Sequence, residues 1–516
     1  MSDHGRKLNR GGRWSGSPPS KGSFVAASKG SSSWNSPSRA SQWQQREALQ
    51  EPPSPLPYGP LLERVSNSDV VMAAKSKDCS IKIEHCEHVA SYNSLSGTDP
   101  TILVPGKPPA WTPLRTPQQI RPDSGKYFRD PNAARFPTYP TLPAVQTIFT
   151  EQPHFSTQAV HIFACGRTMG NLLAFVRSDD FPFRFYVEVI GNTVFFVRKE
   201  RSPTELIEGV LGYGHTFPEA YTTWEPEVAG SASHQRVITY TFGGLHCLIR
   251  FEVDGYHKDL LTVRDSGQST SSSSRSSFYD LKHALPVVQV SGNLAPSQKT
   301  AESHNSLKVR PAGERIPQNA IFDLKTRSCS YGRREIDMAQ ILPRLWVTQV
   351  PNFIVAYHNR GVFDDIRTQC VRGELDNWES DNEEVLGRFA TLIRKIVDFA
   401  RETDGAKLEI CRAQTDILEI RKQAGHGCDT LPPLLKDRWL QNSARGTAST
   451  SVHKDNGSDV NALSTEEKPN LASHFDDGYP SDNKDYDEGL SSDEESVQDF
   501  TACSAEGCGY CGHCRY

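Results

Sequence analysis

Residues 319–328 read NAIFDLKTRS, a run typical of a buried strand that nevertheless contains an aspartate and a lysine two positions apart. Side chains alternate between the two faces of an extended strand, so Asp323 and Lys325 should share one face while Phe322 and Leu324 share the other. Charged side chains are costly to bury without partners. The segment therefore predicts a strand with a core on one side and a polar site on the other.

A second strand upstream has the same property. The run VITYTF, the pair Gly243-Gly244 and the run LHCLIRFEVDGY predict a hairpin, because two glycines support a tight turn. Alternation predicts a core face made of Leu245, Cys247, Ile249, Phe251 and Val253. The opposite face, with His246, Leu248, Arg250, Glu252 and Asp254, is interpreted as the one that gathers charge.

The other periodic segments indicate the fold class. FRFYVEVIG and TVFFVRKE predict a hairpin that turns at Gly191-Asn192, and NFIVAYH predicts a strand that turns at 359–361. Apolar residues at helical spacing predict a helix from about Glu383 to Arg401, and AKLEICR predicts a last strand. The expected fold is α+β or α/β, with a central mixed β-sheet flanked by helices.

Composition divides the chain into segments. Only 36% of the residues are hydrophobic, and they concentrate in one part of the chain. We expect one catalytic domain over 145–440, with a low-complexity serine-rich insertion at 264–305. The remaining segments are predicted to be a disordered basic tail (1–57), a Pro-rich linker (58–144), a disordered acidic tail (441–502) and a cysteine cluster (503–516).

The two tails carry opposite charge. Residues 1–50 contain eight Lys or Arg against two acids, whereas residues 476–499 contain ten acids against one Lys. Arginines interleaved with Trp14, Trp34 and Trp43 suit contact with single-stranded RNA, although a solvated tail explains the same composition. No run of apolar residues is long enough for a membrane span, and the first residues lack a signal-like apolar segment. We expect a nuclear or cytoplasmic protein without membrane contact, whose tails can also bind protein partners.

The acidic strands together suggest a metal site. Carboxylates that converge on one cleft would hold Mg²⁺ or Mn²⁺, which prefer oxygen ligands. A lysine beside them could orient the attacking water and stabilise charge that develops on a phosphate. Such a site would hydrolyse a phosphodiester or a pyrophosphate. Either motif alone is common on a solvent-exposed strand face, where it forms ion pairs.

Four segments carry a resemblance to a known family: GYGHTFPEAY, FEVDG, FDLKTRS and LPRLWVTQVPNFIVAYHNRGVF. Together they resemble the PD-(D/E)XK nuclease superfamily and, within it, the DXO-type RNA decapping and 5′ exonuclease family. The family has a glutamate where Asp323 stands, and its Trp and Gln are one residue closer than Trp346 and Gln349 are here. Chains of this general layout from fungi are sometimes labelled geranylgeranyl pyrophosphate synthetase.

The resemblance implies roles for individual residues. Glu219, Asp254 and Asp323 would ligate the metal, and Glu252 would ligate it directly or through water. Lys325 would position the nucleophilic water, and Gln349 would hold water or a substrate phosphate. Arg250 is a candidate phosphate contact, although an ion pair with Glu252 is the simpler interpretation.

The chain ends in CSAEGCGYCGHCRY, which places Cys503, Cys508, Cys511 and Cys514 within a short glycine-rich segment. Four thiolates at this spacing suit Zn²⁺, with His513 as a substitute ligand. An iron–sulfur centre or redox-sensitive thiols are open alternatives.

Two other function classes are alternatives to a metal-dependent hydrolase. A prenyl diphosphate synthase would need aspartate-rich motifs on core helices, but Asp364-Asp365 lies in a strand-like run and DDGYPSD lies in the acidic tail. That class is therefore not supported by the motifs. A catalytically inactive module that keeps the nuclease fold and binds RNA or protein is consistent with the same residues.

Overall fold

The computed structural model describes residues 57–74, 81–97, 99–179, 181–207, 210–265, 307–329, 335–403, 405 and 407–448. Within these residues the α-helices are α1 (Asn67–Ala74), α2 (Pro131–Arg135), α3 (Leu142–Glu151), α4 (Gly166–Val176), α5 (Thr216–Tyr221), α6 (Met338–Thr348), α7 (Arg372–Asp381), α8 (Glu383–Glu402) and α9 (Pro433–Ala448). Short 3-10 helices span Pro226–Val228, Lys258–Asp265 and Gln318–Ala320.

The strands are β1 (Leu61–Ser66), β2 (Glu84–Leu95), β3 (Thr101–Gly106), β4 (Ala110–Trp111), β5 (Ile162–Cys165), β6 (Phe183–Ile190), β7 (Thr193–Arg198), β8 (Thr222–Thr223), β9 (Ser231–Phe242), β10 (Leu245–Glu252), β11 (Gly255–Tyr256), β12 (Lys308–Gly313), β13 (Ile321–Ser328), β14 (Asn352–Asn359), β15 (Val362–Cys370), β16 (Leu408–Gln414) and β17 (Ile417–Lys422). They form two mixed sheets. The larger has the order β1-β17-β16-β6-β7-β5-β10-β9-β2-β3-β12, and the smaller has the order β15-β14-β13-β11-β4-β8.

The large sheet is covered on both faces. Strand β5 shows how, since Ile162 and Ala164 enter the core beneath α4 and α8, whereas Phe163 enters a second core beneath α3 and α9. The small sheet has its own core, in which Phe322 of β13 packs with Phe217 of α5. The predicted mixed α+β architecture, with a central sheet flanked by helices, is confirmed.

The predicted local elements form as well. Ile190 pairs with Thr193 across the first hairpin, and Phe242 pairs with Leu245 across the second. Helix α8 buries the predicted apolar face, although Val385 is only partly buried. One expectation needs correction: Leu248, on the face of β10 expected to gather charge, is buried because that part of the face is covered by the second core.

Residues 58–144, predicted to be a linker, belong to the fold. Strand β2 pairs with β9 along almost its whole length, and β3 pairs with both β2 and β12. Helix α9 also continues to Ala448, into the range predicted as an acidic tail. The tail 1–56, the serine-rich insertion 266–306 and the acidic and cysteine segments 449–516 lie outside the described residues. No helix of the described part has the length and apolar composition that crossing a bilayer requires.

Candidate active site

Asp254 lies where the chain passes from one sheet to the other. Strand β10 of the large sheet ends at Glu252, and β11 of the small sheet begins at Gly255. Strand β11 has only two residues, so its backbone ladder with β13 is short. Just beyond the end of that ladder, the carboxylate of Asp254 accepts a hydrogen bond from the backbone N–H of Leu324 at 2.7 Å. A Cβ at Gly255 would lie 2.4 Å from the Phe322 ring, so only glycine allows the two strands to approach this closely.

Asp323 and Lys325 lie on the neighbouring strand, β13, which pairs antiparallel with β11 through Phe322 and Gly255. The predicted alternation holds, since Phe322 and Leu324 enter the core of the small sheet. The opposite face brings Asp323 and Lys325 into the cleft that contains Asp254. Lys325 is 4% exposed, so its ammonium is held within the protein rather than in solvent.

The electrostatics of this cluster disfavour the charged form of one carboxylate. Burial first, and the neighbouring Asp323 second, raise the pKa of Asp254 from its usual 3.8 to about 7, against the opposing influence of Arg344 and Lys325. A buried carboxyl group beside another carboxylate is a common arrangement in functional sites. Added positive charge at this position would stabilise both aspartates.

Gln235 of β9 connects two other predicted residues. Its side-chain oxygen accepts a hydrogen bond from Nη1 of Arg250 at 2.5 Å, and its amide nitrogen donates to Oε2 of Glu252 at 3.2 Å. All three side chains line the cleft beside Asp254. The geometry is consistent with the prediction that Glu252 and Arg250 belong to one site, with Gln235 as an orienting residue that the sequence did not reveal.

Glu219 does not join the two aspartates. It lies on α5, where its carboxylate is 60% exposed and forms an ion pair with Arg121 at 3.0 Å. Among the described residues, no three acidic, histidine or cysteine side chains gather closely enough to hold one metal ion. The prediction that Glu219, Asp254 and Asp323 share one cation is therefore corrected: in this arrangement Glu219 is a residue of the cleft rim.

Gln349 is likewise not brought into the cleft. It follows the last residue of α6 with a left-handed backbone (φ 52°), and its amide donates to the carbonyl of Trp346 at 2.6 Å. Thr348, one position earlier, lines the cleft instead. Because the helix ends at Thr348 and Gln349 adopts a left-handed conformation, the glutamine side chain folds back onto the end of α6. The predicted role of Gln349 is not supported by its position.

The cleft itself is large and rich in basic side chains. Its volume is about 940 Å³, and the carboxylates of Glu252, Asp254 and Asp323 lie among its walls. Nine Lys and Arg residues of the described part of the chain line it: Lys126, Arg135, Arg167, Arg177, Arg198, Arg250, Lys325, Arg327 and Arg344. Aromatic side chains that include Tyr127, Phe128 and Trp224 interleave with them. Basic and aromatic groups together suit a polyanion that carries stackable rings.

Helix α4 supplies part of the basic wall. Arg167, Asn171, Ala174 and Arg177 recur at helical spacing and all line the cleft. The helix begins directly after β5, and a Cβ at Gly166 would lie 2.9 Å from the Thr348 methyl group, so α4 and α6 meet closely at the cleft. The spacing of Arg167 and Arg177 in GRTMGNLLAFVR is the sequence signal of this wall.

Other predicted residues fall elsewhere. Asp364 and Asp365 lie on β15, where Asp365 forms an ion pair with Arg367 at 3.0 Å. Cys503, Cys508, Cys511 and Cys514 lie outside the described residues, so their predicted zinc site stays a prediction.

The donor set near β13 fits a divalent cation of the Mg²⁺ or Mn²⁺ class. Asp254 and Asp323 present hard oxygen ligands side by side, with Glu252 in the same cleft. Burial first, and repulsion from Asp323 second, raise the pKa of Asp254, and a bound cation would favour its charged form against both. The described residues thus provide two adjacent carboxylates and a third nearby, rather than the three converging ligands predicted.

Several solved structures are similar in overall layout. Rai1 of S. pombe has 9% sequence identity and a TM-score of 0.42, with 70% of this chain and 99% of that chain covered. Candida albicans Rai1, solved in complex with pU5 and Mn²⁺, has 10% identity and a TM-score of 0.40 over 76% of this chain and 99% of that chain. K. lactis Dxo1, solved with manganese, has 8% identity and a TM-score of 0.37 over 67% and 93%.

No curated protein matches the sequence. A family model described as a domain of unknown function, DUF8563, matches residues 67–416. This range begins within the segment first interpreted as a linker, includes strands β2 to β16, and contains every candidate residue of the cleft. With more than half of its 516 residues matched, the chain belongs to the DUF8563 family.

Proposed function

We propose that this protein is a metal-dependent hydrolase that cleaves phosphodiester or pyrophosphate bonds in RNA, with RNA 5′ ends as the preferred position. The observation that carries the proposal is the juxtaposition of Asp254, Asp323 and Lys325 in a cleft lined by nine basic side chains. A hydrolase needs negative ligands for the cation and positive charge for the phosphates, and this cleft contains both.

Each residue of the cluster has a distinct part in this proposal. Asp254 and Asp323 would hold Mg²⁺ or Mn²⁺ together with water and substrate oxygens, and Glu252 lies in the same cleft. The cation, when bound, polarises the phosphate and lowers the pKa of water. Lys325, buried between the strand and the cleft, would orient the attacking water and stabilise charge on the phosphate oxygens.

The wall of the cleft supports a nucleic acid rather than a small phosphate ester as substrate. Lys126 and Arg167 line the same cleft as the aspartates, and its volume of about 940 Å³ exceeds what one phosphate group needs. Tyr127 stacks on His215 with ring centroids 3.5 Å apart, which forms a flat aromatic surface at the wall. Bases stack on such surfaces while basic side chains contact the backbone.

The test is a substrate panel. Purified protein is incubated with Mn²⁺ or Mg²⁺ and capped, triphosphate or monophosphate RNA of one sequence, with matched DNA as a further arm. We expect cation-dependent release of nucleotides or cap fragments from RNA, and loss of that release in Asp254→Asn. Asp364→Asn is the matched control, because Asp364 is an exposed aspartate of β15 outside the cleft. Absence of cleavage for every substrate would contradict the proposal.

A second candidate function has its own observation. Arg344 forms an ion pair with Asp323, and a chain that keeps this pair permanently would bind RNA without hydrolysing it. In that case the same panel would show RNA binding by the wild type in the presence and absence of Mn²⁺, and no cleavage.

A further inference from the structure

Arg344 is the basic residue that contacts the acidic cluster from a helix. It lies on α6, and its guanidinium Nη2 donates to Oδ1 of Asp323. Gln340 and Thr348, four residues before and after it, line the same cleft, so this face of α6 is turned toward β13. The ion pair is sheltered, since 26% of the Arg344 side chain and 13% of the Asp323 side chain are exposed.

The Arg344 guanidinium places its positive charge beside the carboxylate that would hold a metal cation. Its ion pair places positive charge on Asp323, which lines the same cleft as Asp254. Arg344 therefore neutralises Asp323 in this structure. A metal ion at the same oxygens would bring a second positive charge against the guanidinium.

Arg344 and Lys325 differ in how far they can move. Lys325 is fixed by its strand and by burial at 4% exposure. Arg344 projects from the helix into an open cleft, and its long side chain and planar fork can bond a carboxylate or a phosphate equally well. A guanidinium displaced from Asp323 would find the substrate phosphates within the same cleft.

We propose that Arg344 is an exchangeable counter-ion, which neutralises Asp323 in the metal-free cleft and leaves it for a substrate phosphate when a divalent cation binds. This inference rests on the proposed function, because it assumes that Asp254 and Asp323 hold the cation. Arg344 then lowers the affinity for the metal alone and raises the affinity for RNA once the metal is present. It acts as a positioning residue that couples the two binding steps.

The test measures Mn²⁺ binding without RNA, by titration calorimetry or by the loss of the free Mn²⁺ electron paramagnetic resonance signal. We expect Arg344→Gln to bind Mn²⁺ about tenfold more tightly than the wild type, and Arg344→Lys to lie between them. Arg367→Gln is the matched control, because Arg367 forms ion pairs with Glu335 and Asp365 on β15, away from the cleft. In the presence of Mn²⁺, binding of a monophosphate RNA by Arg344→Gln should be weakened severalfold.

The outcomes separate the inference from the proposed function. If the wild type binds Mn²⁺ and Arg344→Gln binds it equally or more weakly, the exchange is overturned while the hydrolase proposal stands. Binding by Arg344→Gln alone supports the exchange and shows that the ion pair blocks the site. If neither protein binds Mn²⁺, both proposals fail. Should Arg344→Gln not fold, Arg344→Lys decides, since affinity no higher than that of the wild type contradicts the exchange.

Discussion

Lys107 and Lys325 are both buried beside carboxylates, but their surroundings differ. We call the group around Lys107 the structural cluster and the group around Lys325, with Asp254 and Asp323, the functional cluster. Lys107 follows β3 and forms ion pairs with Glu225, with Glu227 at 3.2 Å and with Glu314 at 2.6 Å. Burial alone would lower the pKa of Lys107, but the hydrogen bonds that its ammonium donates to Glu225, Glu314 and Glu227 raise it above its ordinary value.

Glu225 is likewise stabilised in its charged form. Burial opposes that form, yet hydrogen bonds from Lys107 and Lys258 lower the pKa of Glu225 to about 2. Lys107 and Glu225 are therefore both stabilised in their charged forms. Around Lys325 the reverse holds, because the pKa of Asp254 is raised to about 7. Carboxylates paired directly with a buried lysine hold the fold, whereas a buried carboxyl group whose charged form is disfavoured is suited to bind a cation.

A substitution in the functional cluster should change activity most. Lys325→Met should lower the rate of RNA cleavage by roughly 10²–10⁴-fold, because the ammonium would no longer orient water or stabilise phosphate charge. Binding of Mn²⁺ should remain, since lysine is not a ligand. Single-turnover cleavage assays measure the rate. The control is Lys308→Met, which removes an exposed lysine paired with Asp99 at 2.7 Å and should leave the rate unchanged.

A substitution in the structural cluster should instead reduce stability and leave the cleavage rate almost unchanged. Lys107→Met leaves three glutamates without their shared cation, which should reduce the free energy of unfolding by about 3 kcal/mol. We choose the lower end of that range because Glu227 and Glu314 are 45% and 60% exposed. Urea denaturation measures the change. The cleavage rate per folded molecule should stay within about twofold, and a hundredfold loss would show that the two clusters are not separate.

The pH dependence of metal binding sharpens the same comparison. Mn²⁺ must displace the proton from Asp254, so its apparent affinity should fall about tenfold for each pH unit below about 7. Between pH 4 and pH 7 the folded protein holds a proton at Asp254 that the unfolded chain has lost, so this group's contribution to stability falls as pH rises. Calorimetric titrations at pH 5.5, 6.5 and 7.5 measure the affinity, and a flat profile would contradict this prediction.

The smallest expected effect concerns the basic wall. Lys126 is exposed and lines the cleft, and it belongs to neither the structural nor the functional cluster. Lys126→Ala should weaken RNA binding severalfold and reduce the slope of log affinity against log salt by about 0.7, the value for one contact with a single strand. Fluorescence anisotropy across a salt series measures the slope. An unchanged slope would remove Lys126 from the RNA path.

Local sequence signals predicted the central part of the fold. The turn at Gly191-Asn192, the pair Gly243-Gly244 and the spacing of apolar residues in α8 are short-range features, and all three elements form as expected. The Asp323 and Lys325 pair was found in the same way, from a two-residue alternation. These features require no knowledge of which strands meet.

Long-range pairing could not be predicted from the same signals. Strand β2 joins the sheet only through β9, which begins more than a hundred residues later, and β3 was visible only as an apolar island between prolines. The ion pair of Glu219 with Arg121 likewise depends on a segment read as a linker. Arg344 was passed over because its partner, Asp323, lies on another element, and a contact between a helix and a strand leaves no spacing in the sequence.

The central claim is that Asp254 is retained for function at a cost in stability, and one preparation of Asp254→Asn tests it. The amide oxygen can still accept the hydrogen bond from Leu324, so the fold is preserved. At pH 8 in EDTA, we expect the variant to be as stable as the wild type or more stable by roughly 0.5–2 kcal/mol. In Mn²⁺, we expect its RNA cleavage to be lost. A variant that is less stable than the wild type but cleaves RNA at the same rate would contradict it.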